Sequence, residues 1–386
     1  MKLNLFPKKW ILLLIVILAF INPLQYILWV YFPEPGMVFV GNYDDRVLIS
    51  AMESVENNFQ SPDGGSIFFD TLRLPLTYVP LGVLAALFSM SNMSMYIISM
   101  FFSALIYLFV AYHFMGLFMN SRQRDVSFIL FTLVSGIGWV FMLAMPWLTL
   151  SQVSYISYDV SSYGLSLVTQ LARVYYSLSM ACGYASLYFF IKKRLALSFS
   201  LFWVCMLIHA SIALIFYGLI FLYMFLRKDL DFKYLILYLI PVGFYWLLFS
   251  LVPSLLGMPS TFNDYVGGIY DALMLPHAVI LGALPFLIVI YRYRRKINHG
   301  FIFYWFFSIF LLCFITAFVR IPFIHPAKFL FFLIFPAAML IGKMDLNRKV
   351  IIAMVAVSIL SILFFNIGLQ EITRTSTLML SGYIPA

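Results

Sequence analysis

Charge is scarce in this sequence. Only 10% of its 386 residues are Asp, Glu, Lys or Arg, whereas 64% are hydrophobic and the mean hydropathy is +1.00. A soluble fold of this size needs far more charge on its surface, so the composition excludes that class and indicates a polytopic membrane protein. Cysteine is scarce too: Cys182, Cys205 and Cys313 lie in apolar runs without metal-like spacing, which excludes a disulfide framework and reads as three small core residues. No Gly-rich phosphate loop, nucleophile elbow or Cys/His metal spacing occurs. Ionisable residues are nearly missing from the apolar runs, which disfavours an ion-coupled carrier, because such carriers place charge at mid-membrane.

What is present is a succession of apolar runs, at 10–32, 93–119, 126–148, 171–191, 232–252, 277–291, 301–319, 327–341 and 350–369. Lys2, Lys8 and Lys9 precede the first run as in a signal peptide, yet 10–32 is too long for a signal core and lacks a small-residue cleavage site, so a retained helix is expected. Two stretches are ambiguous by length. Residues 74–90 are short for a span and carry Pro75 and Pro80, while 196–226 is too long for one ordinary helix and has His209 near its middle.

The 24 Lys and Arg against 15 Asp and Glu resolve both, because the cations come in clusters. These are Lys8-Lys9, Arg122/Arg124, Lys192 to Arg194, Arg227-Lys228, Arg292 to Lys296, and Lys343 with Arg348-Lys349. If 74–90 does not cross and 196–226 is a hairpin turning near His209, every cluster is cytoplasmic, as the positive-inside rule prefers. The expectation is therefore an all-α bundle of about eleven transmembrane helices in a single integral membrane domain spanning 1–386. Its N-terminus is inside, it has no soluble domain, and the outer loops are 33–92, 149–170, 253–276 and 320–326.

The titratable groups gather on that outer face. Asp44 and Asp45, in Gly41-Asn42-Tyr43-Asp44-Asp45-Arg46, follow the first span. Leu48, Met52, Val55 and Phe59 then share one face of an expected interfacial helix, with Glu53, Glu56, Asn57 and Gln60 on the other. The carboxylates either cap that helix or act as a general base, and spacing leaves both readings open. Arg320, His325 and Lys328 place three cations within nine residues at the end of a late span. Such donors hold a phosphate by charge-assisted bonds or snorkel to lipid head groups. Arg73, Asp159, Arg173 and His209 complete the polar ring; for Asp159 the alternative is a solvated loop, and for His209 a hydrogen-bonded structural role.

Taken together these residues resemble the GT-C superfamily of integral membrane glycosyltransferases, in its protein mannosyltransferase and aminoarabinose transferase branch. Tyr43-Asp44-Asp45 is similar to the family's acidic motif in the first outer loop. Leu74 to Leu81 looks like its Pro-Leu-rich juxtamembrane segment, and Arg320 to Gly342 like its late Arg/His stretch, with Lys328-Phe329 where Arg-Tyr is common. The first motif departs from the frequent Asp-Glu, and no second acidic motif stands beyond Asp159. The resemblance implies a donor sugar on a polyprenyl phosphate and inverting transfer to an acceptor hydroxyl on the extracytoplasmic face of the plasma membrane. Asp44 is then the first candidate for general base and Asp45 the second, and Arg320, His325, Lys328 and Arg73 hold the leaving phosphate. It leaves the metal requirement, the sugar and the acceptor open. The competing class is a lipid-linked-sugar flippase or transporter, or an inactive GT-C-like membrane subunit.

Overall fold

The computed structural model describes residues 7–31, 52, 78–134, 171, 173–228, 232–247, 251, 269–318, 329 and 332–358. Among these every regular element is helical. In chain order they are α1 (Lys9–Tyr31), α2 (Tyr78–Leu87), α3 (Asn92–Met115), α4 (Ser121–Leu133), α5 (Val174–Ile191), α6 (Leu195–Ile208) and α7 (Ala210–Arg227). There follow α8 (Phe232–Trp246), α9 (Ile269–Arg292), a 3-10 turn at Arg294–Lys296, α10 (Phe301–Phe318), α11 (Ile334–Lys343) and α12 (348–358).

Among the described residues α3, α5 and α7 are long and apolar enough to cross a membrane. The 24 residues of α3 rise about 36 Å and the 18 of α5 or α7 about 27 Å, against a hydrocarbon core of roughly 30 Å. Their neighbours show what solvent the bundle is built for. Leu13, Ile17 and Phe20 on α1, Ile98, Phe102 and Ile106 on α3, and Phe307, Leu311 and Ile315 on α10 are all exposed. These rows run at helical spacing along the outside, where a water-soluble protein would place polar groups. Apolar side chains thus cover the outside as well as the core, which is the pattern of a helical membrane protein.

The structure bears on both ambiguous stretches. Of the first, residues 78–90 are described, and helix α2 there has ten residues and a rise of about 15 Å. It ends at Ser89, whose φ of 52° reverses the chain, and Ser91 then caps α3 by accepting from Ser94 N–H. The long run breaks at His209, whose extended backbone (φ −157°, ψ 95°) separates α6 from α7.

Side-chain register then orders the helices. Ser186 Oγ donates to Ser198 O at 2.8 Å and Ser198 Oγ to Ser186 O at 2.7 Å, while Ser179 meets Cys205 further along, so α5 and α6 are antiparallel. Gly183 faces Phe216 and Phe190 meets Tyr223, so α7 runs parallel to α5 and returns against α6. The hairpin is real. Phe20 on Phe101 and Tyr26 near Tyr96 make α1 antiparallel to α3. Tyr112 on Phe128 and Tyr107 on Phe131 do the same for α3 and α4. Phe131 on Phe335, with Gly342 against Ser127, sets α11 antiparallel to α4.

These registers have one outcome: the six cationic clusters named above all lie at the same end of the bundle. Phe118 stacks on Phe301 at 5.7 Å and Tyr223 meets Phe301 at 5.2 Å, tying the C-termini of α3 and α7 to the start of α10 at that end. Between the two ends, Phe114, Tyr184, Trp305 and Phe335 form a buried ring cluster with centroids 4.4 to 6.0 Å apart. It joins α3, α5, α10 and α11 where no charge enters.

Candidate functional site

The antiparallel register of α5 and α6 decides where His209 goes. Each step from Ser186–Ser198 through Ser179–Cys205 moves up α6 and down α5, so the residue that ends α6 must face the start of α5. The His209 imidazole stacks on Tyr175 at 5.6 Å and 22°, and lies 5.4 Å from the Tyr176 ring. Arg173, in extended conformation immediately before α5, turns its guanidinium to the same pair. It donates to Tyr175 Oη at 3.1 Å and sits 5.4 Å from the Tyr176 centroid.

Three of the four side chains are buried and His209 is half-buried. Arg173 is 6% exposed, Tyr175 7% and Tyr176 3%. The Arg173 carbonyl is fixed as well, accepting from Ser177 N–H and Ser177 Oγ, both at 3.2 Å. A buried guanidinium is costly unless its donors are used, and a tyrosine hydroxyl and a ring face are among the partners of this one. The arrangement is an aromatic cup around one permanent cation, at the end of the bundle opposite the basic clusters. Chemically it gathers a planar guanidinium, the type of group that pairs with phosphate or carboxylate, beside flat aromatic faces.

Two of the expected site residues, Arg173 and His209, thus come together across 36 positions of sequence. Asp44, Asp45, Arg73, Asp159, Arg320, His325 and Lys328 lie outside the described residues. Tyr175 and Tyr176 are the members that sequence reasoning missed. The signal was the adjacency Arg173-Val174-Tyr175-Tyr176 at the head of a span, and it becomes meaningful only once the register brings His209 over it. Among the described residues no three His, Cys, Asp or Glu side chains gather as metal ligands.

The basic end is organised differently. Asp125, the fifth residue of α4, is 5% exposed and accepts from Lys8 Nζ at 2.5 Å and from Tyr112 Oη at 2.8 Å. Arg124 lies over the Tyr112 ring at 4.2 Å. Asn120 and Gln123 close a reciprocal cap at the start of α4. One carboxylate therefore fastens the start of α1 to the α3–α4 turn, and the arrangement is a clasp. Asp125 too was not among the residues singled out in the sequence.

No protein-family model matches the chain, and neither does any curated protein or solved structure.

Proposed function

We propose that the protein is an integral membrane glycosyltransferase of about eleven spans. It moves a sugar from a polyprenyl phosphate to an acceptor hydroxyl at the extracytoplasmic face of the plasma membrane, with inversion. The observation that carries this reading is the convergence of Arg173 and His209 on one tyrosine pair, at the bundle end away from all six basic clusters. By the positive-inside rule the clustered end is cytoplasmic, so the cup faces outward, where a lipid-linked sugar is presented. The resemblance of Tyr43-Asp44-Asp45 and Arg320 to Gly342 to GT-C enzymes supports the same face.

In this reading Asp44, or Asp45 in its place, takes the proton of the acceptor hydroxyl as its oxygen attacks the anomeric carbon. The anomeric carbon–oxygen bond to phosphate breaks with its electron pair, and the polyprenyl phosphate leaves carrying one more negative charge. Arg320, His325, Lys328 and Arg73 meet that charge as it appears, which lowers the barrier more than it aids ground-state binding. Arg173 and His209 orient the donor from the tyrosine cup, and Asp159 contacts the sugar or acceptor.

The test is the lipid that leaves the membrane with the protein. Mass spectrometry of the purified protein is expected to find a polyprenyl phosphate or its sugar conjugate, depleted in Arg173→Gln. Incubation with a polyprenyl-phosphate sugar should then release free polyprenyl phosphate. A wild-type protein that carries only bulk phospholipid overturns the reading. Transmembrane movement of an intact lipid-linked sugar without cleavage turns it into a flippase.

A further inference from the structure

The cationic end contains a cleft that the proposed reaction does not use. It has a volume of about 240 Å³ and lies where the α3–α4 turn, the loop before α10 and the end of α11 meet. Phe118, Gln123, Lys296, Asn298, Phe301 and Lys343 are among its walls. At roughly 30 Å³ per water, this is room for about eight waters, or a phosphate group with its first hydration.

The lining has one sign of charge. Of the acids placed at this end, Asp125 is taken by Lys8 and Asp345 stands 3.7 Å from Arg122. Lys296 and Lys343 make no ion pair among the described residues. The remaining polar side chains lean the same way. The Gln123 side-chain oxygen accepts from Asn120 N–H, so what its amide has left to offer an anion is its two N–H donors. The apolar wall is built as well, since the rings of Phe118 and Phe301 stack at 5.7 Å and 27°. Gly300 at the rim leaves open space where a Cβ would stand.

We propose that this cleft binds a phosphate-bearing anion, with Lys296 and Lys343 as the charged donors and Gln123 and Asn298 as the neutral ones. A phosphate is an acceptor without donors, so it complements a lining of ammonium and amide N–H groups. Basic pockets between helices at a membrane surface are sites of this kind. Half-burial also pulls the Lys343 ammonium below the usual lysine range, a penalty that an adjacent anion offsets. The source is either a phospholipid head group, whose chains would lie along Phe118 and Phe301, or a soluble phosphate.

Native mass spectrometry of the full-length protein in mixed micelles tests the site, with dioleoyl-phosphatidylglycerol and dioleoyl-phosphatidylcholine as probes and melting temperature as the parallel readout. The wild type is expected to retain one phosphatidylglycerol in preference to phosphatidylcholine. Lys343→Gln and Lys296→Gln should each weaken retention about fivefold, with Lys343→Arg restoring it. Arg295→Gln, an exposed cation outside the cleft lining, should stay close to wild type. Inorganic phosphate that raises the melting temperature and displaces the lipid supports the site with a soluble source, and phosphate without effect supports it with a lipid source. Retention equal for the two lipids with no response to phosphate overturns the proposal. So does a Lys296→Gln/Lys343→Gln protein that melts normally in phosphatidylcholine and binds phosphatidylglycerol as wild type does.

Discussion

The two ends of this bundle handle positive charge in opposite ways. At the basic end the cations greatly outnumber the acids. One carboxylate, Asp125, binds Lys8 and Tyr112 and is buried, and most other cations stay exposed at the helix ends. At the opposite end, Arg173 is buried against Tyr175 and Tyr176, the pair on which His209 also packs. Many exposed cations fix how a helix bundle sits in a bilayer and draw anions to its surface. A single enclosed cation does little for orientation, and its burial is sustained by the groups packed around it. The contrast therefore separates an end of exposed, clustered cations from an end where one cation is buried among aromatic rings.

The largest expected effect comes from crossing that division. Asp44→Asn should lower sugar transfer by roughly two to four orders of magnitude while donor binding persists. Lys343→Gln, at the basic end, should leave the rate within about twofold. Comparable losses from both variants, measured in one assay with a polyprenyl-phosphate donor, would erase the distinction between the ends.

Packing gives the next effect. A Cβ on Gly183 would come within 2.0 Å of the Phe216 ring, and one on Gly342 within 1.9 Å of Ser127 Oγ and 2.9 Å of the Gln123 carbonyl oxygen. Gly183→Ala and Gly342→Ala should each destabilise by about 1 to 3 kcal/mol, read as a fall in melting temperature in detergent. Gly183→Ala presses α5 against α7 and should also weaken donor binding by disturbing the hairpin beneath the tyrosine cup. Gly342→Ala separates α11 from α4 and should spare it.

Much of this architecture was legible in the residues. Charge clustering at 122–124, 192–194 and 227–228 required an even number of crossings between 195 and 226, and the chain breaks at His209. Pro75 and Pro80 stand in a stretch of 17 residues that reads as short for a span, and the described part of it, 78–90, holds a helix of ten residues. The partners of Arg173 and His209 were not legible. Helices that are apolar on every face carry no stripe to say which side turns inward, so the α5–α6 register cannot be read from periodicity. That register hangs on small polar groups such as Ser186 and Ser198, which look like any serine in a span. Asp125 was not legible either, because Lys8, its partner just before α1, reaches it only through tertiary packing.

Smaller effects sharpen the picture of the basic end. A double-mutant cycle on Lys8→Met and Asp125→Asn should give a coupling of about 1 kcal/mol that shrinks with added salt, because Lys8 is more than half exposed. A coupling that ignores salt would mean the clasp works through packing. Tyr112→Phe should cost about 1 kcal/mol, since its hydroxyl donates to Asp125. Tyr184→Phe should be neutral or slightly stabilising, because that hydroxyl is buried without a hydrogen-bond partner among the described residues.

The claim on which all of this rests is that the ends face opposite sides of a membrane, basic end inside. Single cysteines at Ser91, beside the start of α3, and at Arg122, whose side chain is 79% exposed, test it in a background without native cysteine. With an impermeant maleimide applied to intact cells, Ser91→Cys is expected to label and Arg122→Cys to label only after the membrane is opened. Labelling of both from one side, or of Arg122→Cys alone from outside, would contradict the account.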